Sequence, residues 1–302
     1  MVSAGTKGAV AAIGSFDGVH RGHQFLIAET AKIARTENAP VGVVVFDPHP
    51  RRYFQPDAPP FLLTTPERRD ALLKEAGADI VYSVTFNAAL SAMAPEAFVK
   101  DILKGRLGLS GAVTGSEFRF GKGRAGDAES LKRLAAAHGM SAHLVEPLGD
   151  AQGTDKIGST AIRAAIQEGD MRAAASMLGH LWTVGGVVEK GRELGRTIGF
   201  PTANLTLGEI IEPRRGVYAV RATVGGAAYD GVANFGRRPT VGESAPLLET
   251  HLFDFSGDLY GAPLEVAFVE FLRDEKKFDG LDALKAQIAK DCEEARRVLA
   301  AH

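Results

Sequence analysis

The sequence contains one cysteine, Cys292, and one tryptophan, Trp182, in 302 residues. A lone thiol permits no internal disulfide. That excludes a small scaffold stapled by bridges and points to a reducing compartment. Long apolar runs are also missing: the longest, such as VGVVVF at Val41–Phe46, fall far short of the ~20 residues a membrane-crossing helix needs. The opening MVSAGTKGAVAAIGSF has no basic segment ahead of a long apolar one, so no secretory leader is expected. Charge of one sign is scarce, with 35 Lys and Arg against 37 Asp and Glu, a formal net charge of −2. That balance argues against a broad nucleic-acid or membrane-binding face, though basic residues can still cluster locally. The expectation is a cytoplasmic protein without nucleic-acid or membrane partners, a monomer or weak homo-oligomer.

What is present is ordinary core material, 45% hydrophobic and 24% charged, in a length that suits two domains. From Ala9 to about Gly179, short apolar runs alternate with helical patterns. Strands are expected at Ala9–Ile13, Val41–Phe46, Ile80–Val84 and Ala112–Thr114. Helices are expected at Arg21–Arg35, Pro66–Ala76, Pro95–Lys104, Ala128–His138, Thr160–Glu168 and Met171–Leu178. This alternation predicts a parallel sheet covered on both faces. Beyond LGHLWTV, glycines punctuate β-type segments at Thr183–Glu189, Val217–Val224, Tyr229–Asn234, Leu248–Phe253 and Leu264–Phe271, and Gly225–Gly226 marks a hairpin. A helix over Leu281–Ala300 closes the chain, so the second half reads as a compact antiparallel barrel with a terminal helix. The domain break is expected near residue 180, giving 1–180 and 181–302.

The stretch GSFDGVHRGHQ, Gly14–Gln24, follows the first expected strand. In an open parallel sheet, ligands sit beyond the carboxyl ends of the strands. Gly14 and Gly18 permit turns that a side chain blocks, and Gly22 keeps open the space between His20 and His23. Three residues apart, two imidazoles share a face of a helical first turn, where free N–H groups and the helix dipole favour anions. A phosphate site is one reading. A plain loop pair, or a metal pair without an evident third ligand, is another. Two histidines alone leave the choice open.

A second segment decides it. KIGSTAIRAAI, Lys156–Ile166, sets Ser159 and Thr160 at a helix start and Arg163 on its first turn, a further anion cradle. Together the two segments resemble the H-x-G-H loop and S-T-x-x-R helix start of the nucleotidylyltransferase superfamily. Between them, VVVFDPHP (Val43–Pro50) and GSEFRFGKGRAGD (Gly115–Asp127) resemble the flavin-side segments of bacterial FMN adenylyltransferases. The resemblance implies catalytic roles for His20, His23 and Arg163. It implies substrate or nucleotide contacts from Gly14, Phe16, Asp17, Gly22, Phe46, Pro48, Glu117, Phe118, Arg119, Ser159 and Thr160. Phe120 suits a flavin contact or the core equally. Two positions depart from the family pattern. Glu117 stands where aspartate or asparagine is usual and keeps an acceptor on a longer arm. Gly158 stands where serine is usual and loses a hydroxyl.

In the second half, GRTIGFPTANL, Gly195–Leu205, places Thr202 and Asn204 on one face of a strand. A hydroxyl beside an amide oxygen suits Mg²⁺, and a capped turn leading into a strand accounts for the same residues. GVANFGRRPTVG, LLETHLFDFSGDLYG and FLRDEKKFDGLDALKAQIAKD follow in order, and the set resembles riboflavin kinase almost end to end. Nearly the whole chain is thus similar to the bifunctional bacterial FAD synthetases, in which riboflavin kinase is joined to FMN adenylyltransferase. That resemblance implies a Rossmann-like nucleotidylyltransferase domain with a parallel sheet, then a six-stranded antiparallel β-barrel with a terminal helix. It implies Thr202 and Asn204 as ligands of Mg²⁺–ATP, Glu249 as catalytic base, and contacts from Gly195, Arg196, Asn234 and Arg273. Lys190, Arg192 and Arg196 face phosphates or plain solvent. Arg273 faces flavin or phosphate, or forms an exposed ion pair. Trp182 packs between domains or in the barrel. His251, two residues past Glu249, supports the site rather than reacting.

The implied reactions are riboflavin plus ATP to FMN plus ADP, and FMN plus ATP to FAD plus pyrophosphate. The first has an alcohol as nucleophile and calls for a base; the second has an ionised phosphate and does not. Rival readings are an enzyme with one live site, a flavin- or nucleotide-binding regulator without turnover, and a cytidylyl- or pantetheine-type transferase. Both motif sets are intact, His20, His23 and Glu249 are all present, and the second half is kinase-like. Each of these observations argues against one rival.

Overall fold

The computed structural model describes residues 7–146, 157–190, 195, 198–237 and 246–302. These fall into two compact units. One holds the described residues up to Ala58 and from Pro66 to Gly158; the other holds Pro59–Thr65 and the described residues from Ser159 onward.

The first unit is built on five parallel strands, β1 (Val10–Ile13), β2 (Val41–Asp47), β3 (Ile80–Thr85), β4 (Gly111–Gly115) and β5 (Ser141–Val145). Their order is β3-β2-β1-β4-β5, the Rossmann-like arrangement. Strand alternation explains why β1 is apolar throughout. Ala9, Ala11 and Ile13 enter one core, while Val10 and Ala12 enter cores on the opposite face. The helices α1 (Arg21–Thr36), α2 (Pro66–Glu75) and α3 (Ala128–Ala137) belong to this unit. Pro66 opens α2, where a missing N–H costs nothing. Asp127 and Ser130 close a reciprocal capping box at the start of α3. The helix expected at Pro95–Lys104 is one turn, Pro95–Ala97, running into a π-helical stretch, Phe98–Arg106. Strand β5 was not expected. Its sequence SAHLV is half-buried at every position, and among the described residues it pairs only with β4, so it lacks the apolar run of an inner strand.

The second unit carries β6 (Thr183–Val187), β7 (Ala203–Leu205), β8 (Gly216–Val224), β9 (Ala227–Arg237), β10 (Pro246–Leu252) and β11 (Pro263–Arg273). They form one antiparallel sheet in the order β6-β11-β8-β9-β10-β7. A bridge from Glu189, just past β6, to Asn204 in β7 nearly closes it into the expected barrel. Gly225 and Gly226 turn the β8–β9 hairpin with φ of 55° and 85°, a two-residue turn that only glycine adopts freely. Along β8, Tyr218, Val220 and Ala222 face one core. Val217 and Ala219 face another, shared with Ala295, Val298 and Leu299 of the closing helix α6 (Leu281–Ala300).

By packing, the two units divide at Gly158–Ser159. The helices α4 (Ser159–Glu168) and α5 (Met171–Leu178) bury Ile162, Ile166, Met171 and Leu178 in the same core as Val184, Leu205 and Phe268 of the barrel. Leu63 joins that core. The backbone around it is tied in as well. Phe61 and Leu62 donate to the Glu209 carbonyl at 3.2 and 3.1 Å, and Ile211 donates to that of Leu62 at 2.9 Å. Trp182 is a barrel residue, packed on Phe268 at 4.8 Å, with its indole N–H on the Leu63 carbonyl at 2.9 Å. A strand–helix rhythm cannot reveal that its last two helices pack on the next unit.

Candidate active sites

The first cavity, of about 260 Å³, opens at the carboxyl end of β1. Gly14, Phe16, His20, Gly22 and His23 line it, with Glu117 and Phe118 from the segment after β4. His20 is the N-cap of α1, and its Nδ1 accepts from the His23 backbone N–H at 3.4 Å. In a neutral ring this leaves the proton on Nε2. The two imidazoles stack with centroids 3.6 Å apart and an interplanar angle of 17°. Burial, and then the neighbouring His20, hold His23 well below the usual histidine pKa, so it is neutral at pH 7. Its Nδ1 has no partner among the described residues. Gly22 gives this stack room: a Cβ there would sit a tight 3.2 Å from the His20 Cε1 and Nδ1. Phe16 holds a φ of 53°, a region few side chains adopt, and its ring lies 5.0 Å from that of His23.

Other residues singled out in this half sit elsewhere. Asp17 is buried, 4% exposed, but does not line the cavity. Phe46 packs against Phe86 and Phe98, and neither it nor Pro48 is in the lining. Arg119 pairs with Asp127 at 3.3 Å on the surface. Phe120 is a core residue, stacked on Phe118 at 5.6 Å. The end of β2, which carries Phe46 and leads into Pro48, is braced by Asp47, which accepts from the buried Arg69 at 2.9 and 3.0 Å and from Ser83 at 2.6 Å. The Arg69 hydrogen bond is the main reason the Asp47 carboxyl lies below its usual pKa. Glu146 also lines the cavity and accepts from the Ser116 hydroxyl at 3.2 Å. Sequence reading missed it because it follows β5, the strand that was missed.

Ser159, Thr160 and Arg163 belong to the second unit by packing. Ser159 and Thr160 open α4. The Arg163 Nε donates to the Phe61 carbonyl at 2.7 Å, and its guanidinium lies over the Phe61 ring at 5.5 Å.

The second cavity, of about 300 Å³, is bounded by Gly195, Thr202, Asn234, Glu249, His251 and Arg273, among others. Strand register lays out its polar row, although Asn204 itself is buried, 5% exposed, and does not line the cavity. Glu249 on β10 is paired with Asn204 on β7 and with Asn234 on β9, so three polar side chains form one row across the sheet. The alternation of β10 buries Leu248, Thr250 and Leu252 and turns Glu249 and His251 to the other face. Gly195 makes the turn before Thr202. A Cβ there would clash with the Phe200 carbonyl oxygen, and the Phe200 N–H donates to the Gly195 carbonyl at 2.8 Å.

Arg273 is not an exposed ion pair. Its guanidinium makes a two-pronged bond to Asp291 of α6, at 2.7 and 2.5 Å, and both side chains are largely buried. Gln287 donates to the same carboxylate at 2.9 Å. Asp291, Leu284 and Ile288 line the cavity too. The clue was an acid on the apolar stripe of α6, in step with Leu284, Ile288 and Ala295. Lys190 lies over the Tyr260 ring at 5.6 Å. Arg192 and Arg196 lie outside the described residues. Cys292 is half-buried with its thiol pKa pushed up to about 11, chiefly by burial, so it is no nucleophile.

Two family models match the chain. The FAD synthetase model covers residues 3–161 and the riboflavin kinase model covers 178–299. The chain belongs to the bifunctional riboflavin kinase/FMN adenylyltransferase family. The family protein of Escherichia coli K12 is 40% identical over 286 residues, covering 94% of this chain and 91% of its own length. That of Bacillus subtilis 168 is 38% identical over 294 residues, covering 95% and 92%. A crystal structure of a Streptococcus pneumoniae protein, described as a macrolide-efflux protein, is similar over 96% of this chain and 94% of that one. Its TM-score is 0.86, at 32% identity. Among the described residues, no helix is long and apolar enough to cross a membrane.

Proposed function

We propose that the family's two reactions are divided between the two cavities, riboflavin phosphorylation in the second unit and FMN adenylylation in the first. The observation that carries the division is the row Asn234–Glu249–Asn204. It puts a carboxylate between two amides on a rigid sheet, whereas the first cavity centres on imidazoles at a helix start.

In phosphorylation, Glu249 takes the proton of the riboflavin 5′-hydroxyl as its oxygen bonds to the γ-phosphorus of ATP, and the bond from that phosphorus to the bridging oxygen breaks to release ADP. Thr202 and Asn204 offer a hydroxyl and an amide oxygen, the hard donors that Mg²⁺ takes. When bound there with ATP, the ion would neutralise charge on the phosphates. Asn234 supports Glu249 from the neighbouring strand, and Arg273, fixed by Asp291, borders the cavity as a rigid cation.

In adenylylation, a phosphate oxygen of FMN attacks the α-phosphorus of a second ATP, and pyrophosphate leaves. The nucleophile is already ionised, so the task is to orient two anions and stabilise developing charge. The His20 Nε2–H and the free N–H groups of α1 serve this by dipoles, and His23 adds a neutral imidazole rather than a cation. By the family motif, Ser159, Thr160 and Arg163 contribute phosphate contacts and Glu117 an acceptor. We place the protein in the cytoplasm, acting on small molecules as a monomer or weak homo-oligomer, with functional modules 1–180 and 181–302.

Incubation with riboflavin, ATP and Mg²⁺, followed by chromatography, tests this. FMN and then FAD are expected, and chelation of divalent metal stops both. Adenylylation of supplied FMN without any conversion of riboflavin would leave a single live site and overturn the assignment.

A further inference from the structure

His251 faces the second cavity from β10, two residues beyond Glu249. Its Nδ1 is 2.8 Å from the carbonyl oxygen of Pro201. A carbonyl only accepts, so the imidazole carries its proton on Nδ1 and donates. The ring also meets Phe200 edge-on at 5.6 Å and Phe253 at 5.9 Å.

Among the described residues, few other contacts hold the segment it grips. Strand β7 is three residues long, and its ladder with β10 runs only over Ala203, Asn204 and Leu205. Thr202 lies one residue outside that ladder. Where its hydroxyl sits relative to Glu249 is therefore set by what fixes Phe200 and Pro201. On one side that is the turn at Gly195, through the 2.8 Å bond from the Phe200 N–H. On the other it is His251.

We propose that His251 is a positioning residue of the kinase site: its Nδ1–H clamps the Pro201 carbonyl to β10 and so sets the Thr202 hydroxyl beside Asn204 and Glu249. The proposal rests on Thr202 and Asn204 holding Mg²⁺–ATP. One side chain on the strand that carries the base then also aligns the loop that carries the oxygen donors. The proton acceptor and the nucleotide's anchor share one reference frame. A different duty for the same ring, as a spacer between Phe200 and Phe253, makes the opposite demand on substitutions.

Two variants of the full chain separate these duties. His251→Phe keeps a ring and removes the donor. His251→Asn removes the ring and returns an N–H at the position of Nδ1. The readouts are KM for Mg²⁺–ATP against kcat in riboflavin phosphorylation, and hydrogen exchange over residues 198–205 in the free protein. Clamping predicts that His251→Phe raises that KM and speeds that exchange by about tenfold, the effect of one hydrogen bond, with kcat less affected. His251→Asn then stays within about threefold of wild type in both readouts, as one donor replaces another. FAD formation from supplied FMN reports folding of the rest and stays unchanged. The reverse pattern, a neutral His251→Phe with an impaired His251→Asn, overturns the proposal. If His251→Phe unfolds the second unit, His251→Asn alone decides, and an altered KM or exchange rate in it overturns the clamp. Thr202→Ala tests the underlying reading. If it leaves the KM for Mg²⁺–ATP unchanged, that reading falls and the clamp with it. If it raises KM while His251→Phe does not, the clamp alone is wrong.

Discussion

In the first unit, Gly14, Phe16, His20, Gly22 and His23 reach their cavity from one loop and the helix start that follows it. In the second, Asn204, Glu249 and Asn234 come from three strands and meet only because the register aligns them. The materials differ as well. The first site presents stacked imidazoles, His23 held neutral, and a helix dipole, while the second presents a carboxylate flanked by amides. The difference follows the nucleophiles of the two proposed reactions: a phosphate ester has no proton to give up and an alcohol has one. A loop can be re-aimed by a few residues. A cross-strand row cannot, since a one-residue slip would turn every member to the wrong face.

The largest expected effect breaks the second site alone. Glu249→Gln keeps size and hydrogen bonding but removes the proposed base, and riboflavin phosphorylation should slow about 10²–10⁴-fold. FAD formation from supplied FMN should be untouched. An equal loss in both assays would mean that one site serves both reactions.

His20→Asn does the converse. Asparagine preserves the cap acceptor for the His23 N–H but loses the Nε2 donor, so FAD formation should fall about 10²–10³-fold, as when one charge-stabilising donor is lost. FMN should then accumulate from riboflavin. Unchanged FAD formation in this variant would remove His20 from the reacting centre.

A third comparison sets packing against motif boundaries. Fragments 159–302 and 181–302 both contain the kinase motifs, but only the longer retains the helices that bury Ile162, Ile166, Met171 and Leu178. Loss of that burial costs several kcal/mol, and the shorter fragment should melt at least about 10 °C lower. Equal melting temperatures would show that α4 and α5 are dispensable to the barrel.

The smallest effect is one of pH. His23 is neutral in the folded protein with a pKa below 6.5, whereas in the unfolded chain it takes up a proton near 6.5. The unfolded state thus binds more protons below that pH. The contribution of His23 to stability is complete above 6.5 and declines as pH falls, by at most about 1.4 kcal/mol per pH unit. Denaturant titrations at pH 7 and pH 5 should show a shallower loss in His23→Gln than in wild type. Identical pH slopes would place the burial of the His23 ring in doubt.

Much of this molecule was legible in its sequence because chemistry and chain order coincide in it. The loop from Gly14 to His23 is a contiguous motif after an apolar run, so both its position and its chemistry could be read. Asn204, Asn234 and Glu249 were legible by family pattern, yet their alignment in one row needs the register, which depends on the whole sheet. Glu146 stayed hidden behind an edge strand with no apolar run. Asp291 was hidden because α6 read only as a closing helix. The packing allegiance of Ser159–Leu178 was illegible for a similar reason: an amphipathic stripe shows that a helix is covered, not by which unit.

The excursion of Pro59–Thr65 has a further consequence for how the protein is made. The segment leaves the ribosome early, flanked on both sides by parts of the first unit. Its hydrogen-bond partners, Glu209 and Ile211, follow about 150 residues later. At roughly 5–20 residues per second, that is a wait on the order of 10–30 seconds. Throughout it, Leu62 and Leu63 have no barrel to enter. Until the second half emerges, the nascent chain therefore carries Leu62 and Leu63 without the core they join in the folded protein.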